Sequence, residues 1–252
     1  MPHTKPALIE IYERLSRHYG PTDWWPGDTP FEIAVGAVLT QNTNWGNVER
    51  AIANLKRENL LGPRKILACG DGVLEAALRP SGYFRVKARR LRSFCRYLVA
   101  RYQGSMKRLA ARPLEALRPE LLAVDGIGPE TADDILLYAC EKPVFVVDAY
   151  TRRIFSRHGL CASDIAYEPL RALFEKHLEP DLHLFKEYHG LIVYTGKDFC
   201  RRTPKCDVCP LGALLTPRLA APGTTMGQAV REAKRELAAS RPDMLDVLLG
   251  WS

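Results

Sequence analysis

Residues 121–136 read LLAVDGIGPETADDIL, and residues 146–154 read VVDAYTRRI. The first stretch places an apolar run, a tight Gly-Ile-Gly turn and a second apolar run in that order, which predicts two short helices joined by a corner. Gly126 and Gly128 allow a positive φ and leave no Cβ between the backbone and an approaching group. Pro129 suits the first turn of the following helix, where its missing N–H is not needed. The turn and helix start, Gly126, Ile127, Gly128 and Thr131, offer main-chain N–H groups to a phosphate oxygen, with the helix dipole behind them. An ordinary helix corner uses the same residues, since a lone Gly-x-Gly is common. The apolar LLAV before it and TADDILLYA after it sharpen the reading.

Asp148 follows Gly128 by twenty residues. It is placed to cap a helix that starts near Ala149. An ionised carboxylate in a cleft also stabilises an oxocarbenium-like sugar or activates a water. A rigid cap can do both.

Outward from this centre the spacing is helical almost throughout. Leu8, Ile11, Tyr12 and Leu15 form one stripe, and FEIAVGAVLT at 31–40 is apolar nearly all round, as a buried helix requires. Val48, Ile52 and Leu55 mark another helix, and Leu91, Phe94 and Leu98 a longer one. Arg85, Lys87, Arg89, Arg90, Arg92, Arg96 and Arg101 on that helix read first as a solvated charged face and second as a face that contacts DNA. Further helices are expected over about 130–140, 149–158, 167–178 and 182–196. VFVV at 144–147 is a short, isolated strand signal. After Leu215 the chain turns linker-like (PRLAAPGTT), with a charged helix expected over 226–239.

A net charge of +7 points to a polyanionic partner, and 46% hydrophobic residues suffice for a core. No apolar run reaches the ~18 residues that span a bilayer. The opening MPHTKPALIEIYERL carries charges inside its apolar part and does not read as a signal peptide. Seven Cys, with Cys69, Cys95, Cys140 and Cys161 scattered, read as reduced thiols of a cytoplasmic protein.

These features together resemble the helix-hairpin-helix DNA glycosylases of the endonuclease III superfamily. VLTQNTNWGNVERAI at 38–52 resembles the family's Leu-x-x-Gln-x-x-x-x-x-Val segment, and SGYFRVKARRL at 81–91 its Gly-Tyr/Phe-x-x-Lys-Ala segment. The hairpin, the aspartate and a Cys cluster follow in order, so the resemblance covers roughly residues 5–215. It implies an all-α fold of two helical domains flanking a DNA-binding cleft. The expected division is a six-helix domain at 24–140 ending in the hairpin, a second domain from 1–23 plus 141–215, and a tail at 216–252. The implied partner is damaged double-stranded DNA, bound by a monomer in the cytoplasm at the nucleoid. By the same analogy Gln41 fills the hole left by an extruded nucleotide, though a polar helix end beside a turn is an equal use for it.

Bifunctional members carry a Lys after the hairpin that attacks the sugar as a Schiff-base nucleophile. Glu130 stands there in this chain, and a carboxylate cannot form an imine. The resemblance then implies a monofunctional glycosylase with Asp148 catalytic, and Glu130 either near the sugar or simply favoured by the helix dipole. Trp24, Trp25, Pro26 and Trp45 resemble the aromatic entrance of the endonuclease III-like 3-methyladenine glycosylases. Core packing is the usual fate of Trp, but adjacent Trp in regular structure cannot both point inward, so one is expected to face a cleft. Indole faces attract cations by roughly 1–2 kcal/mol when desolvated, which suits an N-alkylated purine. Lys197 is a further candidate for this pocket.

CRRTPKCDVCPLGALL at 200–215 spaces Cys200, Cys206 and Cys209 as C-x5-C-x2-C. This resembles the family's [4Fe–4S] loop, except that Leu215 replaces the fourth Cys. Three thiolates hold a cluster if water, a His or a distant Cys completes it. An empty loop and zinc are the other options. Pro204 and Pro210 favour a shaped loop, and Arg201, Arg202 and Lys205 are either phosphate contacts or solvated charges. Two other functions stay open from sequence: a non-enzymatic protein that binds distorted duplex, and a glycosylase for mismatched or oxidised bases.

Overall fold

The computed structural model describes residues 4–22 and 24–214. Leu215 and the tail, with its expected linker and charged helix, lie outside the described residues. The three-and-four spacing of apolar residues gives α-helices α1 Thr4–Tyr19, α2 Pro30–Leu39, α3 Trp45–Arg57, α4 Pro63–Ala68, α5 Asp71–Leu78, α6 Phe84–Tyr102, α7 Met106–Ala110, α8 Leu114–Leu122, α9 Pro129–Asp134, α10 Ala149–Arg157, α11 Tyr167–His177 and α12 Leu182–Asp198. The helix begun as α9 continues as one π-helical stretch, Ile135–Ala139.

The chain gathers into two compact units. The larger holds residues 21–148 and 166–190; the smaller holds 4–20, 149–165 and the described residues from 191. Residues 21–22, 141–148 and 166–190, expected in the second domain, group with the larger unit.

At the centre of the larger unit is α2, buried along nearly its whole length as its all-round apolar sequence requires. It packs on α3, α6, α9 and the π-helical stretch. Thr29 caps it, its hydroxyl accepting from the Glu32 amide at 3.2 Å, and Pro30 opens its first turn. α6 packs on α4 and α5. Its basic side chains do not form the uniform solvated face expected. Lys87 is buried and donates to the Ser81 carbonyl at 2.6 Å. Arg92 reaches the last carbonyls of α4, bonding Ile66 at 2.8 Å and Cys69 at 2.7 Å. Long basic stems cover apolar surface while their heads serve helix ends.

Val144–Val147 is extended and buried but pairs with no strand, and no strand occurs among the described residues. Its β-branched and aromatic side chains serve the core instead. Phe145 stacks on Phe174 at 4.0 Å and meets Phe185 edge-on at 5.2 Å. Its amide donates to the Glu175 carboxylate at 3.0 Å in place of a ladder bond.

A second brace in this unit joins α8, α9 and α11. Arg118 makes a forked bond to Asp133, at 2.7 and 3.1 Å, and also reaches Glu168 at 2.6 Å. Tyr167 donates to the same aspartate at 2.9 Å, and the Asp133 side chain is 0% exposed.

The smaller unit is built on α1, which buries Leu8, Ile11 and Leu15, and on α10, which buries Ile154 and Phe155. Gly196 admits the ring of Tyr150, since a Cβ there would lie 2.2 Å from the ring's Cδ1. Arg153 ties α10 to the end of α12 through the carbonyls of Cys200, at 2.7 Å, and Gly196, at 3.1 Å.

Candidate active site

The hairpin between α8 and α9 is anchored from below by Val124 and Ile127, both buried. The Ile127 amide is spent on the Val124 carbonyl at 3.0 Å. Gly126 has φ +84, and a Cβ there would lie 2.2 Å from Cγ of Arg90. Gly128 differs from the expectation that both glycines supply positive φ. Its φ is −87 and ψ 176, open to any residue, and a Cβ would meet nothing within 4 Å. The fold needs glycine at 126 and not at 128.

Gln41 is drawn to this hairpin. Its amide nitrogen donates to the Thr131 hydroxyl at 2.8 Å and toward the Gly126 carbonyl at 3.4 Å, and Arg90 donates to its oxygen. Thr131 is buried under it. The side chains of Ile127 and Thr131 are therefore props of the loop. The donors the loop can offer are main-chain ones: the Thr131 amide stands in the first turn of a helix, where amides have no intrahelical acceptor.

From this start Glu130, Asp134 and Tyr138 follow at four-residue steps along one helix face. Asp134 is 5% exposed, and its Oδ1 has no hydrogen-bond partner. Burial, and then the charges of Glu130, Asp148 and Asp133, hold its carboxyl well above the ordinary 3.8. Burial first, with Asp134, Asp148 and Glu187 adding, likewise keeps the Tyr138 phenol protonated. Its oxygen lies 2.7 Å from His189 Nδ1. With the phenol as donor, the imidazole carries its proton on Nε2, which stands 3.9 Å from Asp148 Oδ2. The Asp148 side chain is 12% exposed. Asp148, His189, Tyr138 and Asp134 thus form one group at the far end of the hairpin helix.

The aromatic residues join it. Trp25 stacks on Tyr138, with centroids 4.8 Å apart and planes at 27°, and meets Trp45 at 5.4 Å and Trp24 at 6.5 Å edge to face. Trp25 is buried and takes φ +76, while Trp24 beside it is half-buried. Two glycines make room: a Cβ on Gly36 would lie 3.3 Å from both Trp25 and Trp45, and one on Gly190 2.6 Å from Trp24. Trp45 is half-buried and donates to Glu49 at 2.9 Å, and Pro26 is exposed. Lys197 is exposed in the last turn of α12, in the smaller unit.

Sequence reasoning missed Asp134, Tyr138 and His189. The four-residue step from Glu130 carried a signal for the first two. His189, inside α12, has none near it in the chain.

In the smaller unit Cys200, Cys206 and Cys209 line one cavity. Arg157 donates to the Cys200 sulfur at 3.2 Å, the Leu211 amide bonds that of Cys209, and the Gly212 amide donates to the Cys209 carbonyl at 2.9 Å. The loop is wound tightly enough that a Cβ on Gly212 would lie 2.2 Å from the Cys206 carbonyl. Among the described residues no three Cys, His, Asp or Glu side chains close on a single metal ion. Ligands of a four-iron cluster each bind a different iron, so they surround a cavity and do not converge on one point. Thiols round a cavity with N–H donors aimed at their sulfurs fit a cluster better than zinc.

The family description "HhH-GPD superfamily base excision DNA repair protein" matches residues 35–180, more than half of the chain. The chain belongs to this superfamily of base excision DNA repair proteins. A protein of Methanocaldococcus jannaschii named as a DNA repair glycosylase is 47% identical over 81% of this chain and 93% of its own length. Endonuclease III of Thermotoga maritima is 31% identical over 79% and 86%. Among solved structures, the 3-methyladenine DNA glycosylase of H. pylori bound to 1,N6-ethenoadenine matches with a TM-score of 0.64 and 30% identity, over 77% of this chain and 97% of that one. An endonuclease III–DNA complex shares the fold, with a TM-score of 0.73 at 22% identity over 91% and 98%.

Proposed function

We propose that this glycosylase hydrolyses the N-glycosidic bond of an N-alkylated purine in duplex DNA and leaves the strand uncut. The observation that carries this reading is the grouping of Asp148 with a buried acid and an aromatic cluster, on a helix that opens with Glu130 where a lysine nucleophile would stand. Asp134 keeps its proton, so the charge facing the sugar falls on Asp148. Asp148 stabilises the developing oxocarbenium ion and orients the attacking water. An alkylated purine already carries positive charge and leaves readily, so no strong general acid is needed. Indole and phenol faces beside carboxylates favour such a cation over a neutral base by roughly 1–2 kcal/mol. The likeness to the H. pylori enzyme supports the same substrate class. Gly126, Gly128 and the first amides of α9 hold a phosphate, with Gln41 beside them.

Cys200, Cys206 and Cys209 would hold a [4Fe–4S] cluster of structural role, since base hydrolysis transfers no electrons. Asp148→Asn, in full-length protein, tests the whole reading. Release of 3-methyladenine from methylated DNA is expected from the wild type and lost in the variant, while DNA binding persists. Borohydride is expected to trap no covalent complex. Base release that survives in Asp148→Asn, or a borohydride-trapped adduct, would overturn the mechanism. A wild type that binds DNA but frees no base from a panel of lesions would return the chain to the non-enzymatic alternative.

A further inference from the structure

The cluster loop is one thiolate short, because Leu215 stands where the fourth Cys would close the set. The cavity lined by Cys200, Cys206 and Cys209 has a fourth candidate in its wall, His158, just past the end of α10. Its Nδ1 is buried and has no hydrogen-bond partner. The imidazole does bond the backbone of Leu214, and with Nδ1 unpartnered that bond falls to Nε2. A metal-ligating histidine has this arrangement: one ring nitrogen donates to a carbonyl, which fixes tautomer and orientation, and the other keeps its lone pair for the metal. The remaining polar wall does not compete. Thr195 donates its hydroxyl to the Leu191 carbonyl at 2.8 Å, and Arg157 and Lys205 are cations. All of these residues belong to the smaller unit.

We infer that His158 is the fourth ligand of a three-cysteine, one-histidine [4Fe–4S] centre, binding iron through Nδ1. This rests on the cluster reading above. Loading the site releases the thiol protons of the three cysteines and none from the imidazole. Exchanging a thiolate for a neutral imidazole leaves the bound cluster one negative charge lighter, which raises its reduction potential. Arg157 at Cys200 and the Leu211 amide at Cys209 act in the same direction by stabilising added negative charge.

The test uses the full chain, purified or reconstituted without oxygen, as wild type, His158→Cys and His158→Ala. Iron and acid-labile sulfide are assayed, and pulsed EPR is recorded on the reduced protein with and without 15N-labelled histidine. The wild type should carry four irons and show a nitrogen coupling that shifts with the label. His158→Cys should keep its iron, lose the coupling and shift to a lower potential. His158→Ala should lose iron, with circular dichroism reporting whether the helices survive. An iron-loaded wild type without histidine coupling would overturn this ligand and leave the cluster standing. Protein that stays iron-free, or takes up zinc alone, would overturn the cluster and the ligand together.

Discussion

Gly128→Ala separates the two demands made on the hairpin. At φ −87 and ψ 176 an alanine is unstrained, and its Cβ meets nothing within 4 Å. Replacing glycine at a compatible site stabilises by about 0.4–1 kcal/mol through the unfolded chain. At about 2–4 °C per kcal/mol for a chain of this size, Tm should rise by roughly 1–4 °C. The same methyl group takes up open space beside the turn, where the proposed phosphate would approach. Loss of one hydrogen bond to a charged phosphate costs about 1.5–3 kcal/mol, or roughly 10- to 100-fold in Kd. Gly126→Ala is the contrasting variant. Its residue must hold φ +84, at about 1–2 kcal/mol for an L side chain, and must push aside Arg90, so Tm should fall. Calorimetry and DNA binding at fixed salt measure both. An alanine at 128 that melts earlier than the wild type, or binds DNA as tightly, would refute the argument that this glycine exists for the ligand.

Two further outcomes follow from buried charge. Arg118→Ala leaves Asp133 fully buried with only Tyr167 and the more distant Arg171, 3.8 Å away, and should cost about 3 kcal/mol, seen as a fall in Tm of roughly 6–12 °C; a fall under about 2 °C would dismiss the brace. Asp134 has a folded-state pKa above its unfolded value, so its contribution to stability is full below 3.8 and is lost as pH rises through the folded value. Asp134→Asn should therefore gain stability over the wild type between pH 5 and pH 8 in urea titrations, and a difference that does not change with pH would contradict the raised carboxyl.

The helices were legible because apolar spacing survives in each: FEIAVGAVLT became the buried α2, and the hairpin lies where LLAV and TADDILL bracket the glycines. Asp148 was legible by its distance from the turn. Local sequence could not tell that Val144–Val147 would be a buried loop, since a β-branched run has the same composition whether its amides meet a strand or the carboxylate of Glu175. It also could not show Trp25 at φ +76, a conformation imposed by tertiary packing, nor His189, which Tyr138 meets from fifty-one residues away. Lys87 and Arg92 looked like surface charge because periodicity does not reveal which helix ends lie nearby.

The tie between α8, α9 and α11 also sets an order of events in synthesis. Asp133 and Phe145 leave the ribosome before Tyr167, Arg171 and Phe174, the residues that neutralise the one and stack on the other. Until that later segment emerges, the nascent chain holds a hairpin helix with an acid only half-answered and an aromatic ring uncovered. The hairpin helix is thus fully braced only when a distant part of the polypeptide returns to it.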